Sequence, residues 1–168
     1  MAPQPDPRKP PGAGASPPGG CFIRPRYERA SDREAQYRLV CALADHYPGW
    51  MLVEMPELAG WDYELRHRDH PPVLIEVKAR TNRRTAYPTY LISARKLADL
   101  AAAARKCHGK AVLLVGWSDA IGAVRIDHRP SYAVAEGGRV DRNDPMDREP
   151  CAHIPIGDFR LLSTGKKI

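Results

Sequence analysis

The sequence predicts an α/β fold, a mixed central sheet flanked by helices, in the order helix, three strands, helix, strand. Three observations carry this. Residues 94–106 are alanine-rich, and Leu97, Leu100, Ala101 and Ala104 fall on one helical face. Residues 111–117 are apolar without alternation, as in a strand covered on both sides. Residues 61–65 and 73–80 are strand-like and flank a polar stretch, as the arms of a hairpin do.

Taken in order, residues 1–22 are rich in Pro and Gly and offer little to bury, so a disordered leader is expected there. Residues 23–168 are expected to form a single domain, with a core at about 27–126 and a C-terminal extension at 127–168. Ser31-Asp32-Arg33-Glu34 matches a capping box, and Ala35, Leu39, Ala42, Leu43 and His46 then mark one helical face. Pro48-Gly49 breaks that helix, while a start upstream near Tyr27 stays open.

A first strand is expected at 50–55, ended by Pro56. In the second, at 61–65, Trp61, Tyr63 and Leu65 share one face and Asp62 and Glu64 the other. The polar loop 66–72 closes the hairpin. If the hairpin is symmetric about Asp69, Asp62 lies across from Glu76, with about 4.5–5.5 Å between Cβ atoms. Residues 89–92 extend briefly before Ser93, a good N-cap, and Gly109 suits the stop of the second helix. A strand at 120–126 follows. Residues 129–130 and 136–150 read as loop, 153–156 as a short edge strand and 159–162 as a closing segment.

The 26 Lys and Arg against 20 Asp and Glu leave a net charge of +6 and a pI near 9.3, a balance that favours a polyanionic partner, nucleic acid first. No apolar run approaches the ~18 residues that cross a bilayer, and no signal-peptide segment is present, so a cytoplasmic protein is expected. Cys21, Cys41, Cys107 and Cys151 are scattered without a CxxC pair and read as reduced thiols.

The chemistry concentrates in residues 73–80. Val73, Ile75 and Val77 point to one face of a strand, and Glu76 and Lys78 to the other. Burying opposite charges is costly unless they are paired or bind something. Two carboxylates held at hairpin distance, Asp62 and Glu76, repel each other unless a proton or cation lies between them. A cross-sheet ion pair on a solvated strand face is the simpler alternative for Glu76 and Lys78 taken alone.

With Asp62 on the second strand, Glu76-Val77-Lys78 on the third, and an alanine-rich helix and buried strand after them, the chain resembles the PD-(D/E)XK nuclease superfamily. This restriction-endonuclease-like group, with its αβββαβ core, includes phage nucleases and Holliday junction resolvases. The resemblance covers about residues 27–126; the Pro of the family name is replaced by Trp61. It implies a metal-dependent endodeoxyribonuclease using Mg²⁺, with Mn²⁺ as a substitute, and DNA as partner, RNA remaining open. It further implies metal ligands Asp62, Glu76 and the Val77 carbonyl, and Lys78 as the group that orients or helps deprotonate the attacking water. An acidic residue of the first helix often completes the set; Glu34 is the candidate and Glu28 the reserve, although the capping box explains Glu34 as well. Resolvase-like relatives point to a homodimer, and a loose similarity of the last third to phage-encoded proteins points to phage DNA metabolism in a bacterial host cell. Structure-selective cutting of branched or junction DNA is the expected activity.

Arg80, Asn82, Arg83, Arg84 and Tyr87, with Tyr90 nearby, combine phosphate-neutralising charge with rings that stack on unpaired bases, and Lys96, Arg95 and Lys106 could extend the basic surface. A solvated loop whose rings pack on the core would show the same composition. His67 and His70, and Cys107-His108, lack the spacing of a zinc site. Two other classes of function stay open: a nucleic-acid-binding module that uses the fold without cleavage, and an interaction protein recruiting a partner through its Pro-rich tail and edge strand.

Overall fold

The apolar runs of the sequence become the middle of a six-stranded sheet. A computed structural model describes residues 30–56, 58–126, 131–138 and 148–162. Helix α1 (Ala30–Ala44) is followed by β1 (Met51–Glu54), β2 (Tyr63–His67) and β3 (His70–Ala79). A 3-10 turn (Arg84–Ala86) leads to β4 (Thr89–Ser93), α2 (Ala94–Lys106), β5 (Lys110–Gly116) and β6 (Ile121–Ile126). Strands β7 (Ala133–Gly138), β8 (Arg148–Pro155) and β9 (Arg160–Leu161) complete the described chain. The expected leader, the reserve acid Glu28, Cys21 and the charged run 139–144 lie outside the described residues.

The main sheet runs β1-β2-β3-β5-β6-β9. It is mixed because β3 and β5, joined through β4 and α2, pair in parallel, while every other pair is antiparallel. Central β5 is buried along Ala111–Gly116 on both faces, as its unbroken apolar run requires. On one face α1 sets Leu39, Val40 and Leu43 against Tyr63, Leu65, Val73, Ile75 and Val77. The opposite face packs Leu74, Leu113 and Val115 against Leu97, Leu100, Ala101 and Ala104 of α2.

Four expectations change. The polar loop 66–72 is a tight turn, with His67 paired to His70 and a register irregularity between Leu65 and His67. A helix that already includes Ala30 places Ser31 inside it, so the capping box does not mark its start. His108, at φ 53°, takes the left-handed position after α2 that Gly109 was expected to occupy. Gly109 is needed for a different reason: a Cβ there would collide with the Pro72 carbonyl oxygen. Finally, residues 89–93 and 148–155 belong to a second sheet, β4-β8-β7, in which β8 is central rather than an edge. Ile92, Ala152 and Ile154 join this sheet to the α2 side of the core.

Candidate active site

The odd residues of β3 are committed to α1, so its even residues must face α2. Leu74 fits there. Two positions on, Glu76 brings a carboxylate into the same layer at 1% exposure. Lys78 Nζ stands 2.6 Å from its Oε1. From the first turn of α2, Lys96 Nζ reaches 2.9 Å from its Oε2. The second contact lacks hydrogen-bond geometry, so Oε2 is a buried oxygen with an ionic neighbour and no hydrogen-bond donor.

Asp62 stands just ahead of β2: the pairs Tyr63–Ile75, Glu64–Leu74 and Leu65–Val73 keep the expected register, which puts Asp62 next in line with Glu76, although the ladder ends before a 62–76 pair forms. Its amide donates to the Ile75 carbonyl at 3.0 Å and its carbonyl accepts from Met55 at 3.0 Å. Oδ2 accepts the Val77 amide at 2.8 Å, so the side chain replaces a backbone partner where the β2 ladder ends. In a strand the N–H and C=O of one residue point to the same side. The Val77 carbonyl therefore also faces the Asp62 side, beyond the last pair, Tyr63 with Ile75.

Burial raises the Asp62 carboxyl above its ordinary range, Glu76 adds to the rise, and Lys78, the Val77 amide and Lys96 oppose it. Burial works against the charge on Lys78, yet Glu76 and Asp62 outweigh it and hold the ammonium above its usual value. Glu64, two residues beyond Asp62 and also buried, accepts from Trp61 Nε1 at 3.0 Å and from Arg66 Nε at 2.6 Å. It is satisfied within the fold.

This donor set suits a hard divalent cation. Asp62 and Glu76 supply carboxylate oxygens from adjacent chain segments, Glu76 Oε2 is buried without a donor, and the Val77 carbonyl faces the same side. Among the described residues no three His, Cys, Asp or Glu side chains group as a metal cage, and Mg²⁺ uses one or two carboxylates with phosphate and water instead. Glu34 is not brought in: it is 66% exposed and paired with Arg38 one turn on, upstream of the segment of α1 that packs on the other face of β3.

The basic loop is divided. Arg80 lies over the Tyr90 ring, its guanidinium carbon 5.2 Å from the centroid, and its amide donates to the Gly116 carbonyl at 2.7 Å. Burial pushes the Tyr90 hydroxyl up, against the opposing effects of the Arg80 and Lys78 charges. Arg83 Nε pairs with Asp119 at 3.2 Å, while the Arg84 amide donates to Asp119 at 2.8 Å and its side chain to the Ile156 carbonyl at 3.0 Å. The Arg84 amide is the main reason that the Asp119 carboxyl is held below its ordinary range. Asn82 accepts the Ser118 amide through its carbonyl and donates from its side chain to the Arg83 carbonyl. Arg83, Arg84 and Asn82 thus anchor the loop to the β5–β6 turn and the second sheet. Together with Arg80, Tyr87, Tyr90 and Trp117, Asn82 and Arg84 line a groove of about 310 Å³.

Lys96 is the residue whose place the sequence concealed. A surface role was expected, yet its ammonium is at Glu76. One signal existed: the first turn of α2 carries Arg95 and Lys96 and no acid, against the preference of a helix N-terminus. At the hairpin tip His70 stacks on Trp50, and His67 lies tilted against both rings, its centroid 4.8 Å from that of His70.

A family model described as phage putative PDDEXK endonuclease matches residues 22–162. No curated protein matches the chain in sequence. Among solved structures it is similar to Hjc, a Holliday junction resolvase from the archaeal hyperthermophile Archaeoglobus fulgidus. The identity is 18% and the TM-score 0.41, over 56% of this chain and 68% of that one.

Proposed function

The chain belongs to the family of phage putative PDDEXK endonucleases, and on that premise we propose that it hydrolyses phosphodiester bonds in DNA with Mg²⁺, cutting branched or junction DNA in phage DNA metabolism. The observation that supports this most directly is the meeting of Asp62, Glu76 and Lys78 at the end of β3. Bound there, Mg²⁺ would act as Lewis acid on a phosphoryl oxygen and lower the pKa of a water. Asp62, Glu76 and the Val77 carbonyl are the residues that would hold it.

Lys78 would orient the attacking water and offset the charge that grows on phosphate. The groove containing Arg80 and Tyr87 would receive the strand beside the scissile bond, Arg80 neutralising phosphate and the exposed Tyr87 ring offering a stacking face to an unpaired base.

Incubating the protein with branched, duplex and single-stranded DNA, with and without Mg²⁺, tests the reading. Metal-dependent cutting that Asp62→Ala, Glu76→Ala or Lys78→Ala abolishes is the expected result. Cutting that survives all three changes overturns the site. Binding without cutting in Mg²⁺ or Mn²⁺ replaces the enzyme with a binding module, and no binding at low salt favours a protein-interaction role.

A further inference from the structure

The acid pair is balanced by an equal number of cations. Asp62 and Glu76 carry two formal negative charges, and Lys78 and Lys96, both close to Glu76, carry two positive ones. A dication entering such a site gains little net attraction, because each oxygen of Glu76 already faces an ammonium. The two lysines are not equivalent. Lys78 holds Oε1 at 2.6 Å from the strand that carries Glu76. Lys96 approaches Oε2 from another element, at 2.9 Å and without hydrogen-bond geometry, although the two lysine side chains are about equally exposed. It also sits in the first turn of α2, whose N-terminus favours an anion over the cation placed there.

We propose that Lys96 is a positioning residue that makes metal loading conditional on DNA. It offsets Glu76 until a phosphate draws its flexible ammonium away, exposing Oε2 to the cation while the phosphate supplies negative charge to the site. Metal and DNA then strengthen each other's binding. This rests on the reading of the site as a metal-dependent nuclease, and it assigns Lys96 a role in coupling rather than in bond cleavage.

The test is calorimetric titration of the full chain with Ca²⁺, used as a metal probe, with and without a short phosphorothioate DNA duplex. Wild type should bind Ca²⁺ weakly alone and about tenfold or more tightly with DNA, and Ca²⁺ should tighten DNA binding by the same factor. Lys96→Met, which removes the charge and keeps the stem, should bind Ca²⁺ about tenfold more tightly without DNA and lose most of the coupling. Lys96→Arg should retain the wild-type coupling. A thermal melt checks that each variant is folded, and the reciprocal effect in wild type needs no variant. If Ca²⁺ binds wild type equally with and without DNA, or Lys96→Met leaves its DNA-free affinity unchanged, the coupling role is overturned while metal-dependent cutting can still stand. If no metal binds any form and nothing is cut, the nuclease reading fails and this inference fails with it.

Discussion

A carboxylate held where burial resists its charge makes the fold less stable at neutral pH, and Asp62 is in that position. Its folded pKa lies above the ordinary 3.8, so the folded chain binds this proton more tightly than the unfolded chain does. The stabilising contribution is therefore present below pH 3.8 and is lost as pH rises through the folded value. Asp62→Asn keeps an oxygen for the Val77 amide and removes the charge. In chelator at neutral pH, calorimetry should show its melting temperature raised by about 2–4 °C. That gain should vanish as pH falls to about 4. A flat or reversed pH trend would mean that Asp62 is not held in the desolvated state described. The side on which Asp62, Glu76 and Lys78 point was legible from period-two alternation alone. The sequence could not show what stands opposite them, so the contact of Lys96 with Glu76 was not legible.

At the scale of elements, Ser93, at the junction of β4 and α2, adds a hydrogen-bonded link between the site's helix and the second sheet. Ser93 caps the helix by accepting the Lys96 amide at 3.4 Å, and its hydroxyl donates to Glu149 of β8 at 2.6 Å. Ser93→Ala should lose about 1 kcal/mol, a fall of about 2–4 °C in melting temperature. Ser93→Asp keeps a capping oxygen but faces Glu149 with a second carboxylate, and it should fail to restore the loss. Equal stability of Ser93→Asp and wild type would remove Glu149 from this account. At the other end of α2, Gly109→Ala must push the chain away from the Pro72 carbonyl. A loss of about 1–3 kcal/mol is expected in urea unfolding. The cap was legible because Ser93 precedes an alanine-rich run; the closeness of residue 109 to residue 72 was not, because it arises where β5 lies beside β3.

For the whole molecule, the +6 charge predicts DNA binding that weakens steeply with salt, with log affinity linear in log salt concentration. Arg80 lines the groove with its guanidinium over Tyr90. Arg80→Ala should weaken binding across DNA sequences and lower the salt slope by about one. An unchanged slope would place the DNA elsewhere. Tyr90, Trp117 and Phe159 contact one another edge to face, at centroid separations of 5.2–6.2 Å, and fix the wall of this groove from three separate stretches of chain. No helix among the described residues is long and apolar enough to cross a membrane.

By itself the sequence determined the order of elements from α1 to β6, the faces of β2 and β3, and the family to which the Asp62, Glu76 and Lys78 pattern belongs. Those features are local, since side-chain periodicity is set by neighbours two to four residues away. Only the tertiary structure decided that residues 89–93 pair with 151–155 in a second sheet. The same holds for Arg83 and Arg84, which are tied to Asp119 and Ile156, and for Glu34, which stays outside the acid pair. Each of these depends on segments far apart in sequence coming into contact, and periodicity carries no information about which distant segment will be opposite. Lys96 is the clearest case: its helical position was readable, but its electrostatic partner lies twenty residues away on another element.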